Sequence, residues 1–123
     1  MKETQLSAKF KRDIKTKCKK AGLPLFYYKI PDTKGTGGLR PFDAFLILCG
    51  KFFAIEFKVG KNKLMPHQKY CLDEVKNCGG RSLIIRETDI DKMIALLIAS
   101  ALSATKILKH YTETYVNINK KRM

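Results

Sequence analysis

The chain has 123 residues, enough for one hydrophobic core and too few for two ordinary domains, so a single domain spanning 1–123 is expected. Lys and Arg number 25 against 11 Asp and Glu, a formal charge of +14 that implies a polyanionic partner, either nucleic acid or an anionic membrane surface. The longest apolar run, Met93 to Ala104, contains Ser100 and Ser103 and falls short of the ~20 residues needed to span a bilayer, which excludes a transmembrane reading.

Between Lys2 and Ala21 the apolar residues Leu6, Phe10, Ile14 and Cys18 recur every fourth position, with lysines and arginines on the other faces, which predicts an amphipathic helix ended by Gly22 and Pro24. The extreme N-terminus carries no apolar stretch or small-residue cleavage site of the secretory kind, so a cytoplasmic location is expected and disulfides are not. Leu25 to Ile30 (LFYYKI) reads as a strand closed by Pro31. Asp32 to Arg40 (DTKGTGGLR) has no hydrophobic period and reads as a surface loop.

Phe42 to Leu48 and Phe52 to Val59 are runs of strand formers separated by Cys49-Gly50-Lys51, the clearest hairpin in the chain. Pro66 suits the first position of a helix reaching Cys78, with Gly79-Gly80 as its stop and Leu72 and Val75 on its apolar face. Ser82 to Arg86 follows as a short strand, and an apolar helix runs from about Asp89 to His110. The tail from Tyr111 to Met123 reads as a last strand or a basic arm. The order α-β-β-β-α-β-α is that of an α/β domain with a mixed central sheet covered by helices on both faces.

The cysteines at 18, 49, 71 and 78 form no C-x-x-C pair. His67, Cys71 and Cys78 fall near one helical face and would need Cys18 to complete a zinc site; ordinary half-buried thiols are the better reading.

The chemistry concentrates on the hairpin. Glu56 and Lys58 are two apart and share a face of their strand. A two-residue turn, at Cys49-Gly50 or Gly50-Lys51, sets Asp43 across from Glu56 or Lys58 on that face, whereas a three-residue turn without a bulge sends Asp43 to the other one. The strand from Phe52 to Phe57 is apolar on both faces and reads as central, where a charged side chain costs free energy unless it is paired or binds an ion. Two adjacent carboxylates repel, and a divalent cation with oxygen ligands, Mg²⁺ by nature, resolves the repulsion. Lys58 beside such an ion would orient the attacking water or neutralise developing charge. Gln68 shares a helical face with Leu72 and Val75, so its amide reaches either the carboxylates or nearby backbone. The competing interpretation of Glu56 and Lys58 is a solvated edge-strand ion pair with Asp43.

On these residues the chain resembles the PD-(D/E)XK nucleases: Pro41-Phe42-Asp43 matches P-x-D, and Glu56-Phe57-Lys58 matches E-x-K. It is most similar to the virus-type replication-repair nuclease (VRR-NUC) domains, with likeness also to Holliday junction resolvases, mostly over Gly37 to Gly80. The resemblance implies a restriction-endonuclease-like core, Asp43 and Glu56 as metal ligands for Mg²⁺ or Mn²⁺, Lys58 assisting water, Gln68 on the following helix, and Glu3 as an additional N-terminal acid. A helix N-terminus favours an acid at Glu3 in any case. Lys34, Arg40, Lys61, Lys63 and Lys69 are the candidate phosphate contacts, solvated turns being the alternative. The expected activity is metal-dependent endonucleolytic hydrolysis of DNA, branched DNA by analogy. A non-catalytic basic binding module and a ribonuclease are the rivals. The apolar helix from Met93 to Leu108 is accounted for equally by a homodimer contact and by burial within one subunit.

Overall fold

The computed structural model describes residues 1–32 and 39–104. Lys34, the glycines at 35, 37 and 38, and the tail from 105 onward lie outside the described residues.

Helix α1 covers Glu3–Ala21 and buries Leu6, Phe10, Ile14 and Cys18, the predicted stripe. Its start is tied by the Lys2 backbone N–H donating to Gln5 Oε1 at 2.8 Å, and its end by Gly22 in the left-handed region at φ 68°. Strand β1 is Leu25–Lys29, β2 is Ala44–Leu48 and β3 is Lys51–Lys58. Helix α2 is Pro66–Asn77, β4 is Arg81–Arg86, and helix α3 occupies residues 90–104. Asp89 starts α3: its carboxylate accepts the Arg86 N–H at 3.0 Å, and its carbonyl accepts the first helical bond from Met93 at 2.9 Å.

The sheet order is β1-β2-β3-β4. β1, β2 and β3 pair antiparallel, and β4 returns parallel to β3 through α2. Element order and mixed sheet match the restriction-endonuclease-like α/β fold.

The two faces bury different things. On one, Ala44, Leu46, Leu48, Phe53, Ile55, Phe57 and Ile85 pack against Phe10 and Ile14 of α1 and against Ile90, Ile94, Leu97 and Ala101 of α3. Each large side chain so buried contributes roughly 1.5–3 kcal/mol. The apolar stripe of α3 is therefore used within this chain, while Leu96 and Leu102 stay exposed. On the other face Ala54 and Phe42 pack with Leu72 of α2, and Val75 and Cys71 flank them. Glu56 and Lys58 point to this second, smaller core. Among the described residues no helix is long and apolar enough to cross a membrane.

Cys18 is buried in the larger core with Cys49 packed against that core, Cys71 flanks the smaller core, and Cys78 is exposed.

Candidate active site

The hairpin turn has two residues. Cys49 and Gly50 take φ 51° and 83°, both positive, as a type I′ turn requires, and the strands on either side pair Leu48 with Lys51 through Ala44 with Ile55. Continuing that ladder one step would set Asp43 opposite Glu56.

At that step the ladder changes. The Asp43 N–H donates to the carbonyl of Ile55 at 3.1 Å, the residue already paired with Ala44. Two successive residues of one strand thus face one residue of the other, the arrangement of a β-bulge, which re-aims the side chain. Asp43 Oδ2 accepts the Phe57 N–H at 2.8 Å, and Oδ1 pairs with Arg40 Nη2 at 2.9 Å. The Asp43 N–H also approaches Glu56 Oε2 at 3.2 Å. The carboxylate of Asp43 consequently stands at the end of the sheet, between its two faces.

Two cavities meet there. One is lined by Glu3, Thr4 and Ser7 of α1 with Lys29, Asp32, Arg40, Asp43 and Phe57. The other is lined by Asp32, Leu39, Arg40, Phe42, Asp43, Glu56, His67 and Gln68. Asp32, Arg40 and Asp43 belong to both, and Glu3 enters the site from the α1 side.

Glu56 is 1 % exposed, in the middle of the sheet. Burial first, then the negative charge of Asp43 and hydrogen bonding to its carboxyl, push the Glu56 pKa up to about 8. The Lys58 ammonium and the Asp43 N–H draw it back in part. Gln68 Nε2 donates to Glu56 Oε1 at 2.9 Å, while Gln68 Oε1 accepts the Met65 N–H at 2.8 Å at the start of α2. Both predicted destinations of this amide are thus occupied, one by each of its ends. Lys58, two residues beyond Glu56 on the same face, is 7 % exposed.

The candidate phosphate contacts divide. Arg40 turns inward: besides Asp43, it donates to the Ile30 carbonyl at 3.2 Å. Lys61 and Lys63 are exposed on the loop between β3 and α2. Lys69 is exposed on α2 and pairs with Asp73 at 3.4 Å.

Residues that the sequence did not place beside the carboxylates complete the surroundings, Arg86, Asn62 and His67 among them. Arg86 donates to the carbonyls of Gly60 (3.2 Å) and Asn62 (2.9 Å), the Gly60 N–H donates to Glu87, and Asn62 Nδ2 approaches Glu3 Oε1 at 3.4 Å. The loop bearing Lys61 and Lys63 is thereby fastened to β4 and α1. His67 Nε2 contacts the Arg40 carbonyl at 2.6 Å and braces the segment leading into Asp43. The signal for His67 was its place beside Gln68 at a helix start; Arg86 becomes legible only once β4 is known to lie parallel to β3, facing Lys58.

Among the described residues, no three His, Cys, Asp or Glu side chains come together closely enough to hold a metal ion. The acidic pair Asp43 and Glu56 stands with amide, guanidinium and backbone partners around it. Comparison of the chain with protein-family models, with curated proteins and with solved structures gives no match.

Proposed function

We propose that this chain is a divalent-metal-dependent nuclease that hydrolyses phosphodiesters of DNA at the cluster of Asp43, Glu56 and Lys58. The observation that carries the reading is a carboxylate, Glu56, kept in the middle of a sheet against a second carboxylate and held there by an amide from α2. Burying such a pair costs several kcal/mol unless something repays it, and a stability role does not.

The donor set fits a hard cation. Asp43 and Glu56 offer carboxylate oxygens, and the Glu56 pKa, raised first by burial and then by the Asp43 charge, belongs to a carboxyl whose ionised form a divalent cation would stabilise. When bound, Mg²⁺ or Mn²⁺ supplies Lewis acidity toward a phosphoryl oxygen and a more acidic water. Asp43 and Glu56 are the residues that hold it. Gln68 fixes the rotamer of Glu56, and Arg40 with the Phe57 N–H fixes that of Asp43. Lys58 neutralises charge that develops on the phosphoryl oxygens as water's oxygen bonds to phosphorus and the leaving oxygen departs with the P–O electron pair. Lys61 and Lys63 contact the phosphate backbone, and the charge of +14 supplies the general attraction.

The finer assignment rests on the motif likeness: P-x-D in Pro41-Phe42-Asp43 and E-x-K in Glu56-Phe57-Lys58 resemble the PD-(D/E)XK nucleases, VRR-NUC domains most of all, with branched DNA as the substrate by analogy. A homodimer suits symmetric cutting of two strands. The exposed basic faces of α1 sustain a second reading, a non-catalytic nucleic-acid-binding module.

The test is nicking of supercoiled plasmid, branched duplex and RNA by the purified chain in Mg²⁺, Mn²⁺ or EDTA, beside Glu56→Ala. Cleavage that needs the cation and vanishes in the variant, with DNA affinity in EDTA retained, is the expected result. Tight binding with no cleavage in either metal assigns the module instead.

A further inference from the structure

We propose that the uncovered aromatic half of the sheet is a stacking platform for unpaired bases, so that the strand delivered to Asp43 and Glu56 is single-stranded or splayed nucleic acid. This deepens the nuclease reading above and rests on it for the position of the scissile phosphate.

The register defines the platform. On the face that carries Glu56, one cross-strand row runs Phe26, Ile47, Phe52, and the next runs Tyr28, Phe45, Ala54. One row further along lie Ile30 and Glu56, with the bulged Asp43, whose carbonyl accepts the Ile30 N–H at 2.9 Å, between their strands. Successive rows are two residues, about 7 Å, apart. An aromatic surface therefore runs straight into the carboxylates.

Among the described residues, helix α2 packs on β4 and β3. Phe26 is 55 % and Tyr28 46 % exposed. They lean on Phe45 with ring centroids 6.0 and 5.6 Å away, and Phe45 stacks on Phe52 at 5.2 Å. These contacts hold the inner rings and leave the outer ones open to solvent.

Charge selects the occupant. Residues 22–31 and 44–55 contain Lys29 and Lys51 and no carboxylate. Both lysines are exposed at the sheet's margins, but they alternate onto the α1 side: Lys29 pairs with Ala44 and lines the cavity with Glu3, and Lys51 pairs with Leu48. A second copy of a chain carrying +14 would bring like charges together, whereas a nucleic-acid strand offers π-faces to the rings and negative phosphates to a chain of that charge.

The chain contains no tryptophan, so Tyr28→Trp installs a unique fluorophore on the platform. In EDTA, oligo-dT is expected to quench it, and a blunt duplex of equal length is not. The paired substitution Phe26→Leu/Tyr28→Leu keeps apolar bulk and removes the ring faces. It should weaken oligo-dT binding about tenfold, leave duplex binding unchanged, and be tolerated because both sites are exposed; Tyr28→Phe should bind like the parent.

Equal quenching by both nucleic acids, no quenching by either, or leucine variants that bind oligo-dT normally would overturn the proposal. So would a parental dimer in sedimentation that the leucine variants dissociate, which would give the face to a second copy. Binding in EDTA is independent of chemistry: stacking without any cleavage sinks the nuclease reading alone, and cleavage with intact binding in the leucine variants sinks this proposal alone.

Discussion

Gln68 donates to Glu56 Oε1 at 2.9 Å and accepts from its own helix start at Met65, so the position of a buried carboxylate is coupled to the first turn of α2. Gln68→Ala removes both bonds. Losing the cap should cost about 1 kcal/mol, and Glu56, deprived of a donor, should move further toward its neutral form. The expected outcome is a modest fall in melting temperature with a larger fall in kcat and little change in nucleic-acid affinity. Unaltered kcat would show that the amide serves the helix alone.

Glu56 also sets how stability depends on pH. Its pKa rises from 4.5 to about 8 on folding, first because it is buried and then because Asp43 faces it. Between those values the folded chain retains a proton that the unfolded chain has released, so without divalent cation stability is full below the lower value, falls as pH climbs, and levels off above about 8. Glu56→Gln imitates the protonated acid: its carbonyl still accepts from Gln68, and its amide donates to the Asp43 carboxylate, giving up the 3.2 Å contact from the Asp43 N–H. That variant should be more stable than the parent at pH 9 by about 2 kcal/mol or more, flat across the window, and inactive. Urea melts at pH 5, 7 and 9 check it, and parallel pH profiles for both proteins would refute it.

Legibility in the sequence followed the range of the forces involved. The stripe Leu6-Phe10-Ile14-Cys18 and the run Phe52 to Phe57 announced a helix and a central strand because their periodicity is local. The parity of the Cys49-Gly50 turn carried the register as far as Ala44. It could not carry Asp43, because the bulge depends on Ile55 accepting a second donor and on Phe57 and Arg40 capturing the carboxylate across the chain. Arg40 read as a phosphate contact for the same reason, its inward turn being set by Asp43 and the Ile30 carbonyl. The composition LFYYKI showed a strand but not which rings stay bare, which follows only from α2 covering β3 and β4. Glu3 is named only by the resemblance; it reaches the site through the docking of α1 on the sheet, which is a tertiary fact.

Cation binding should be visible without any substrate. Loading the pair of Asp43 and Glu56 requires Glu56 to give up its proton, so Mg²⁺ or Mn²⁺ should raise the melting temperature more at pH 8.5 than at pH 6. At a cation concentration about a hundredfold above Kd the gain is roughly 2.7 kcal/mol. Removing the metal with EDTA should restore the lower value, and Glu56→Gln and Asp43→Asn should each blunt the response. A shift that is the same in parent and variants would locate the cation elsewhere.

The hairpin turn offers the last test, because it separates backbone strain from crowding. A Cβ on Gly50 would meet nothing within 4 Å, yet the residue sits at φ +83°. Gly50→Ala should therefore destabilise by about 1 kcal/mol through conformation alone. Cys49, at φ 51°, already bears that strain. Cys49→Gly should relieve it, raising stability by a few tenths to about 1 kcal/mol, whereas Cys49→Val, a better strand former, should lower it. The strands must keep their pairing for Asp43 to meet Glu56, so activity per folded molecule should hold in Cys49→Gly. If Cys49→Val proved the more stable protein, the turn would not be two residues in the left-handed region, and the register that brings Asp43 to Glu56 would fall with it.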